Sequence, residues 1–495
     1  MPEISSDQGV QFPLVDGRRS TQHTARTVFA ESTRPLAPDV AERIQHSRDW
    51  HKKYVAELSA IEKLSAGSSK AAQLVAENGL HALHQQMVFR RGAEEVPLAH
   101  ALDERGTKPL DASTTITGSG ERTGQLGIPY RGRLLTGLDL GRQLDDWVAR
   151  GIVEPSCAEA VRLLDANPDW LDLRDLTIAL VGAAAEMSPL TPLLGWGATI
   201  AAVDLPRPDV WNRIAATAHG SGGTVLAPAR NSSSAPGADL LTQLPEIRDW
   251  LAALETPLVF GNYAYADGAT FVRVAAAADA LAADLLASGT ADSLAYLASP
   301  TDVFAVPHHI IETARDGGGV RRRGRRFGTP IRAISGGKLF TPNYREVVDS
   351  EEGTRFGLAD SVVPQQGPNY ALAKRLQRWR AVVARNTVVT SANVAPATRT
   401  RSVVKNRILA AAYAGAAPYG VEVFETETSS ALMAALLVHD LRNPDAGAHP
   451  DSRLAQPLEL FSDQAAHGGL WTLPWEPRSV LPLAAVGGLV GRMGA

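Results

Sequence analysis

Two spacings in this 495-residue sequence have chemical meaning. The later one runs from Asn369 to Lys374, N-Y-A-L-A-K. Tyr370 and Lys374 are four residues apart, so on a helix they share one face. An ammonium beside a phenol favours the phenolate and draws the tyrosine down from its ordinary pKa of ~10. Such a tyrosine can give or take the proton of a carbinol or carbonyl oxygen while hydride moves at carbon. The earlier one is the run Gly182, Ala183, Ala184, Ala185, Glu186, Met187, Ser188. Small residues let a backbone approach a ligand closely, and the helix that follows offers N–H groups to a phosphate. Asp204 stands 22 residues after Gly182, with Leu205 next to it. An acid at that spacing accepts the ribose hydroxyls of an adenosine. Arg207 follows and would meet a 2′-phosphate instead, so NAD is favoured and NADP is not excluded.

These residues need elements to hold them. From Leu176 the sequence alternates apolar runs with helical patterns. Strands are expected around 176–181, 199–205, 222–231, 256–265, 293–299 and 387–396, with helices between them. The helix before the last of these strands carries Tyr370 and Lys374. Continuous apolar strands alternating with helices indicate a parallel sheet covered on both faces. The expected fold is therefore α/β, a doubly wound parallel sheet of Rossmann type, over residues 171–478. Residues 300–365 read as an insertion. Residues 1–35 are polar and without sustained period, and read as a flexible arm. Residues 36–170 read as a mostly helical N-terminal extension, with Val40, Ile44, Trp50, Val55, Leu58 and Ile61 near one helical face. Residues 479–495 form an apolar tail.

The order of these features resembles the short-chain dehydrogenase/reductase superfamily. It runs from the Gly/Ala turn, through Asp204, F-G-N-Y-A-Y and Y-L-A-S, to Y-x-x-x-K and N-V-A-P-A-T. The resemblance covers 174–475 and implies a dehydrogenase or reductase binding NAD(P). It implies Tyr370 as acid/base, and Lys374 as holder of the nicotinamide ribose and tuner of the phenol. Ser299 would hydrogen-bond the substrate oxygen, with Ser335 and Ser361 as rivals because Ser299 precedes Tyr370 by 71 residues. Gly182, Ala183, Glu186, Met187, Asp204 and Leu205 would border the cofactor. Asn262 and Tyr263 would lie beside it, and Pro396, Ala397 and Thr398 would flank the nicotinamide. Glu186 and Ser188 stand where the family has later glycines, Pro-Ala replaces Pro-Gly, and the helix after the fourth strand lacks an asparagine. The rival readings are a non-redox enzyme on the same sheet, such as an S-adenosylmethionine methyltransferase, and a nucleotide-sensing scaffold.

Composition narrows the classes. Lys plus Arg number 49 and Asp plus Glu 53, a net charge of -4, which argues against bulk nucleic-acid binding. One cysteine, Cys157, is read as a packed thiol; it excludes a disulfide framework and fits a cytoplasmic protein. No metal site is expected: His308, His309 and Glu312 lack a third well-spaced ligand. Glu422, Glu425 and Glu427 read as a solvated edge, the arginines of 321–326 as a solvated loop, and Trp471 and Trp475 as wall or core where the family's last strand would run. The expected partners are a small-molecule substrate, bulky and lipophilic, and further copies of the chain. The apolar tail reads as a packed terminal segment, with a peripheral membrane contact as the sharper alternative.

Overall fold

The computed structural model describes residues 7–110, 112–231, 235–254, 256–316, 328–452 and 454–493. Four helices come first: α1 (Thr21–Thr33), α2 (Pro38–Gln45), α3 (Trp50–Ala66) and α4 (Ser69–Gln86). Then come β1 (Ala112–Thr117), α5 (Gly137–Ala149) and α6 (Pro155–Ala166). The alternating part is β2 (Thr177–Val181), α7 (Leu190–Gly195), β3 (Thr199–Val203), α8 (Pro208–His219), β4 (Thr224–Ala229), α9 (Leu244–Ala252) and β5 (Leu258–Asn262). It continues with α10 (Ala269–Ala287) and β6 (Ala291–Ala298). The insertion contributes β7 (Val303–Pro307), α11 (His308–Asp316), β8 (Val347–Asp349) and β9 (Arg355–Asp360). The chain closes with α12 (Gly367–Ala384), β10 (Val389–Val394), α13 (Arg401–Lys405), α14 (Arg407–Ala414), α15 (Thr426–Arg442) and α16 (Pro477–Met493).

The main sheet has the order β10-β6-β5-β2-β3-β4-β1. All pairs are parallel except β4 with β1. Without β1 the parallel strands follow the order of a doubly wound Rossmann-type sheet, with the direction of winding reversing between β2 and β5. Side chains alternate across it as period two requires. Ala179 and Val181 of β2 enter the core on the face of α10 and α12, and Ile178 and Leu180 enter the core on the face of α6 and α15.

Residues 7–35 are not an arm. Thr21–Thr33 is a helix with Ser20 as its N-cap, and its Val28 and Phe29 belong to the core. Phe29 meets Trp50 and Trp379 at ring-centroid distances of 5.8 Å. Residues 36–170 hold strand as well as helix: 112–117 is the edge strand β1, paired with β4 through Thr114↔Ala227 and Thr117↔Thr224. Helices α1, α3 and α4 form a further layer on α12. The insertion builds a separate antiparallel sheet, β7-β9-β8. Trp471 and Trp475 are buried, and outside any strand. The tail is the helix α16.

The layer is joined by buried charge. Glu62 of α3 and Asp302 before β7 alternate with Arg375 and Arg378 of α12, each at most 4% exposed. Arg378 reaches Glu62 at 2.6 Å and Asp302 at 2.9 Å; Arg375 reaches Asp302 at 3.0 Å and also pairs with Glu62. Glu62→Ala is expected to destabilise the fold by about 3–5 kcal/mol, because it strands two guanidiniums on one carboxylate. Urea denaturation measures this; a loss below about 1 kcal/mol would mean that the pocket admits water.

Candidate active site

A cavity of about 760 Å³ opens at the carboxyl ends of β5, β6 and β10, beside the reversal in strand order. Tyr370 and Lys374 of α12 line it together, as their spacing requires. Ser299 and Thr301, just past the end of β6, complete that wall. The Tyr370 ring packs 5.7 Å from Phe271 and 6.5 Å from Tyr265.

Lys374 Nζ donates to the Leu297 carbonyl at 2.8 Å and to Gln377 Oε1 at 3.1 Å. Burial lowers its pKa to about 8, since the ammonium has lost water and has no carboxylate partner among the described residues. The phenol behaves opposite to expectation. Burial raises Tyr370 above its ordinary value; hydrogen bonding with Ser299, Thr301 and Gln366 acts against this without overcoming it. Lys374 does not draw the phenol down, because its proton donors are turned to neutral oxygens.

Among the three serines, Ser299 is at the cavity. Its hydroxyl lies 2.8 Å from Thr301 Oγ1, which donates to Gln366 Oε1 at 2.7 Å. Ser335 is half-buried away from the cavity and donates to the Arg332 carbonyl at 3.1 Å. Ser361 is buried beside Asp302, where its N–H donates to the Asp302 carbonyl at 3.1 Å.

The turn after β2 divides. Glu186 and Met187 line the cavity, with Tyr263, Pro396, Ala397 and Thr398. Gly182, Ala183, Asp204, Leu205 and Asn262 do not. Gly182 has φ +77°, and a Cβ there would lie 2.6 Å from Ala264 Cα, so glycine is required by a neighbouring loop rather than by a ligand. Asp204 braces this turn: Oδ2 accepts the Ala184 N–H at 2.9 Å and Oδ1 the Leu205 N–H at 2.8 Å. Burial raises its pKa, against the pull of those two N–H groups. Asn262 Oδ1 likewise accepts the Ala264 N–H at 3.2 Å. The Glu186 charge is balanced at the mouth, where the carboxylate accepts the Arg401 backbone N–H at 2.9 Å and faces its Nε at 3.1 Å. Thr398 Oγ1 donates to the Pro396 carbonyl at 2.9 Å and meets Ser429 Oγ at 2.7 Å.

Sequence reading missed Thr301, Gln366, Tyr265 and Tyr413, and the cations Arg401 and Lys405, all at this cavity. Gln366 was within reach of the helical period, four residues before Tyr370. Arg207, Lys374, Arg401 and Lys405 face it against Glu186 and Asp267, so its walls favour an anion.

The remaining candidates fall elsewhere. His308 pairs with Glu312 at 3.4 Å, and no cluster among the described residues suits a metal. Glu422 is not solvated: it is 6% exposed, bonded to Tyr130 and paired with Arg131 and Arg150. Cys157 is fully buried, which raises its thiol pKa. The arginines of 321–326 lie outside the described residues.

No family model matches the sequence, and no curated protein does. Among solved structures the chain is similar to a short-chain dehydrogenase/reductase from Serratia marcescens, at 14% identity and a TM-score of 0.34, over 60% of this chain and 99% of that one. A likeness at that score says nothing about chemistry.

Gly182→Ala tests the turn. Positive φ and backbone contact predict a loss of about 2 kcal/mol or more. Thermal unfolding checks this, and an unchanged midpoint would show that the Ala264 loop yields freely.

Proposed function

We propose that this chain is an NAD(P)-dependent oxidoreductase of short-chain dehydrogenase/reductase type. On this reading it reduces a carbonyl or oxidises an alcohol on a bulky, lipophilic substrate. One observation carries the reading: Tyr370, Lys374, Ser299 and Pro396–Thr398, far apart in sequence, share one cavity at the carboxyl end of the sheet. Ligands of doubly wound sheets bind at that end. The cavity's volume lies in the range of cofactor sites, and its surplus of cations suits a pyrophosphate.

A bound nicotinamide dinucleotide would supply or accept hydride. Lys374 and Arg401 would hold its polar groups, and Pro396, Ala397 and Thr398 its nicotinamide end. NAD is the proposed form. NADP is the second reading, favoured by Arg207 at the cavity while Asp204 is occupied with its own turn. In the reducing direction Tyr370 gives its proton to the carbonyl oxygen. A raised phenol keeps that proton at neutral pH, which suits a donor. Phe271, Tyr265 and Tyr413 give the substrate an aromatic wall.

Tyr370→Phe is expected to lower turnover by about 10²–10⁴ while dinucleotide affinity stays nearly constant. Lys374→Ala should weaken both. A Phe variant with full turnover would exclude the acid/base role and leave a non-redox enzyme on this sheet.

The pH dependence of binding is a separate test. Lys374 is charged below about pH 8 and neutral above it. Dinucleotide affinity should therefore fall as pH rises through that value. Lys374→Met should flatten this limb in calorimetric titrations from neutral pH upward. The same limb in the variant would assign it to another group.

A further inference from the structure

Two helical segments at the cavity mouth also present an outer side that the proposed reaction does not use. Val403, Lys405, Asn406 and Leu409 of α13 and α14 line the cavity. Their neighbours Val404 and Ile408 point outward, 54% and 63% exposed. Behind α14 runs α16. A Cβ at Gly488 would lie 1.9 Å from the Ala411 carbonyl oxygen, and one at Gly415 2.0 Å from that of Ala484. The two helices therefore touch backbone to backbone and run antiparallel. On its outer side α16 exposes Val486, Leu489 and Val490 by 60%, 52% and 59%. The spacing i, i+3, i+4 makes this one stripe.

The charged residues within these segments have one sign. Residues 401–414 contain Arg401, Lys405 and Arg407, and residues 477–493 contain Arg478 and Arg492; neither segment holds an Asp or Glu. Arg401 pairs with Glu186, and Arg478 with Asp360 and Glu476. Lys405 and Arg407 are exposed and have no acidic partner among the described residues.

We infer that α13, α14 and α16 together form a docking surface for an anionic lipid bilayer, lying on the interface rather than crossing it. An apolar stripe among cations is what an anionic membrane surface binds. No helix among the described residues is long and apolar enough to cross a membrane. A second copy is the poorer occupant, because a two-fold contact through these segments sets Lys405 and Arg407 against themselves, and neither segment holds an acid to answer them. The inference stands whether or not the cavity performs redox chemistry.

The test is co-sedimentation of the full chain with phosphatidylcholine vesicles, with and without phosphatidylglycerol. Binding should be about tenfold tighter or more with phosphatidylglycerol, and should weaken in salt. Lys405→Glu with Arg407→Glu should lower it about tenfold or more. Val486→Ser with Val490→Ser should lower it as well, and as exposed changes they should leave the melting temperature nearly unchanged. Binding to neither vesicle, equal binding to both, or indifference to both variants would overturn the inference. So would a concentration-dependent dimer, seen by sedimentation velocity without vesicle binding and dispersed by the serine variant; that result would give the stripe to a second copy.

Discussion

The buried quartet of Glu62, Arg375, Asp302 and Arg378 fixes the helix on which the cavity depends. Four charges taken from water are costly, and their mutual attraction only offsets this when the geometry is good. Here each guanidinium touches both carboxylates and further hydrogen bonds occupy some of the spare positions, while Nε of Arg375 and of Arg378 is buried without a partner. Arg378 also donates to the Val303 carbonyl at 2.8 Å, and Glu62 accepts the Ala305 N–H at 3.1 Å. The Arg378 guanidinium lies 3.9 Å from the Phe304 ring centroid. Burial raises the Asp302 carboxyl, but the two arginines outweigh it and hold it below the ordinary range. Such a network contributes less to stability than to position. It sets the rotation of α12, whose adjoining face presents Tyr370, Lys374 and Gln377. It also sets the chain just after Thr301, where the polar wall of the cavity begins. The N-terminal helices are thereby part of the site's support and not an appendage.

A second buried group repeats the device on the far side of α12. Asp279 of α10 accepts from Arg380 at 2.8 and 2.9 Å and lies 2.8 Å from His84 of α4. Lys374 differs from all of these cations. Its partners are a carbonyl and an amide oxygen, which answer two of its three donors but not its charge. The charges that build the fold are neutralised in place, while the charge at the cavity is left to be met by whatever binds there. Its depressed pKa is the physical signature of that difference.

What was legible in the sequence was what is periodic. The strands are apolar runs and the helices between them carry an apolar face, so the sheet and the position of Tyr370 on its helix followed directly. What was illegible was polar or distant. Helix α1 buries Thr24, Ser32 and Thr33, whose hydroxyls return to carbonyls of their own helix, so its apolar period is diluted and reads as none. Strand β1 is A-S-T-T-I-T, and only its pairing with β4 makes it a strand. Glu62 and Arg375 are 313 residues apart, and nothing local to either predicts the other. Gly182 and Asp204 carry a structural role that their spacing did not announce. Their types and spacing match a ligand motif, while Gly182 also packs against Ala264 and Asp204 also accepts the Ala184 and Leu205 N–H groups of its own turn.

The hydroxyls beside Tyr370 have a direction, and it bears on the proposed chemistry. Thr301 donates to Gln366 Oε1, so its own oxygen is left to accept. Ser299, 2.8 Å away, is then the donor to Thr301. Its oxygen also takes the Thr301 N–H at 3.3 Å. In this arrangement neither hydroxyl has a proton left for the Tyr370 oxygen. On the proposed reading, Ser299 could join Tyr370 as a second donor to a carbonyl oxygen only by releasing Thr301. Gln366 therefore controls how the two hydroxyls face. With its carbonyl toward Thr301 both hydroxyl protons run along the wall, and with its amide NH₂ turned there the Ser299 proton would be free to face the cavity. An amide offers both choices at no cost in charge, in a wall where the Asp302 carboxylate is already committed to two arginines.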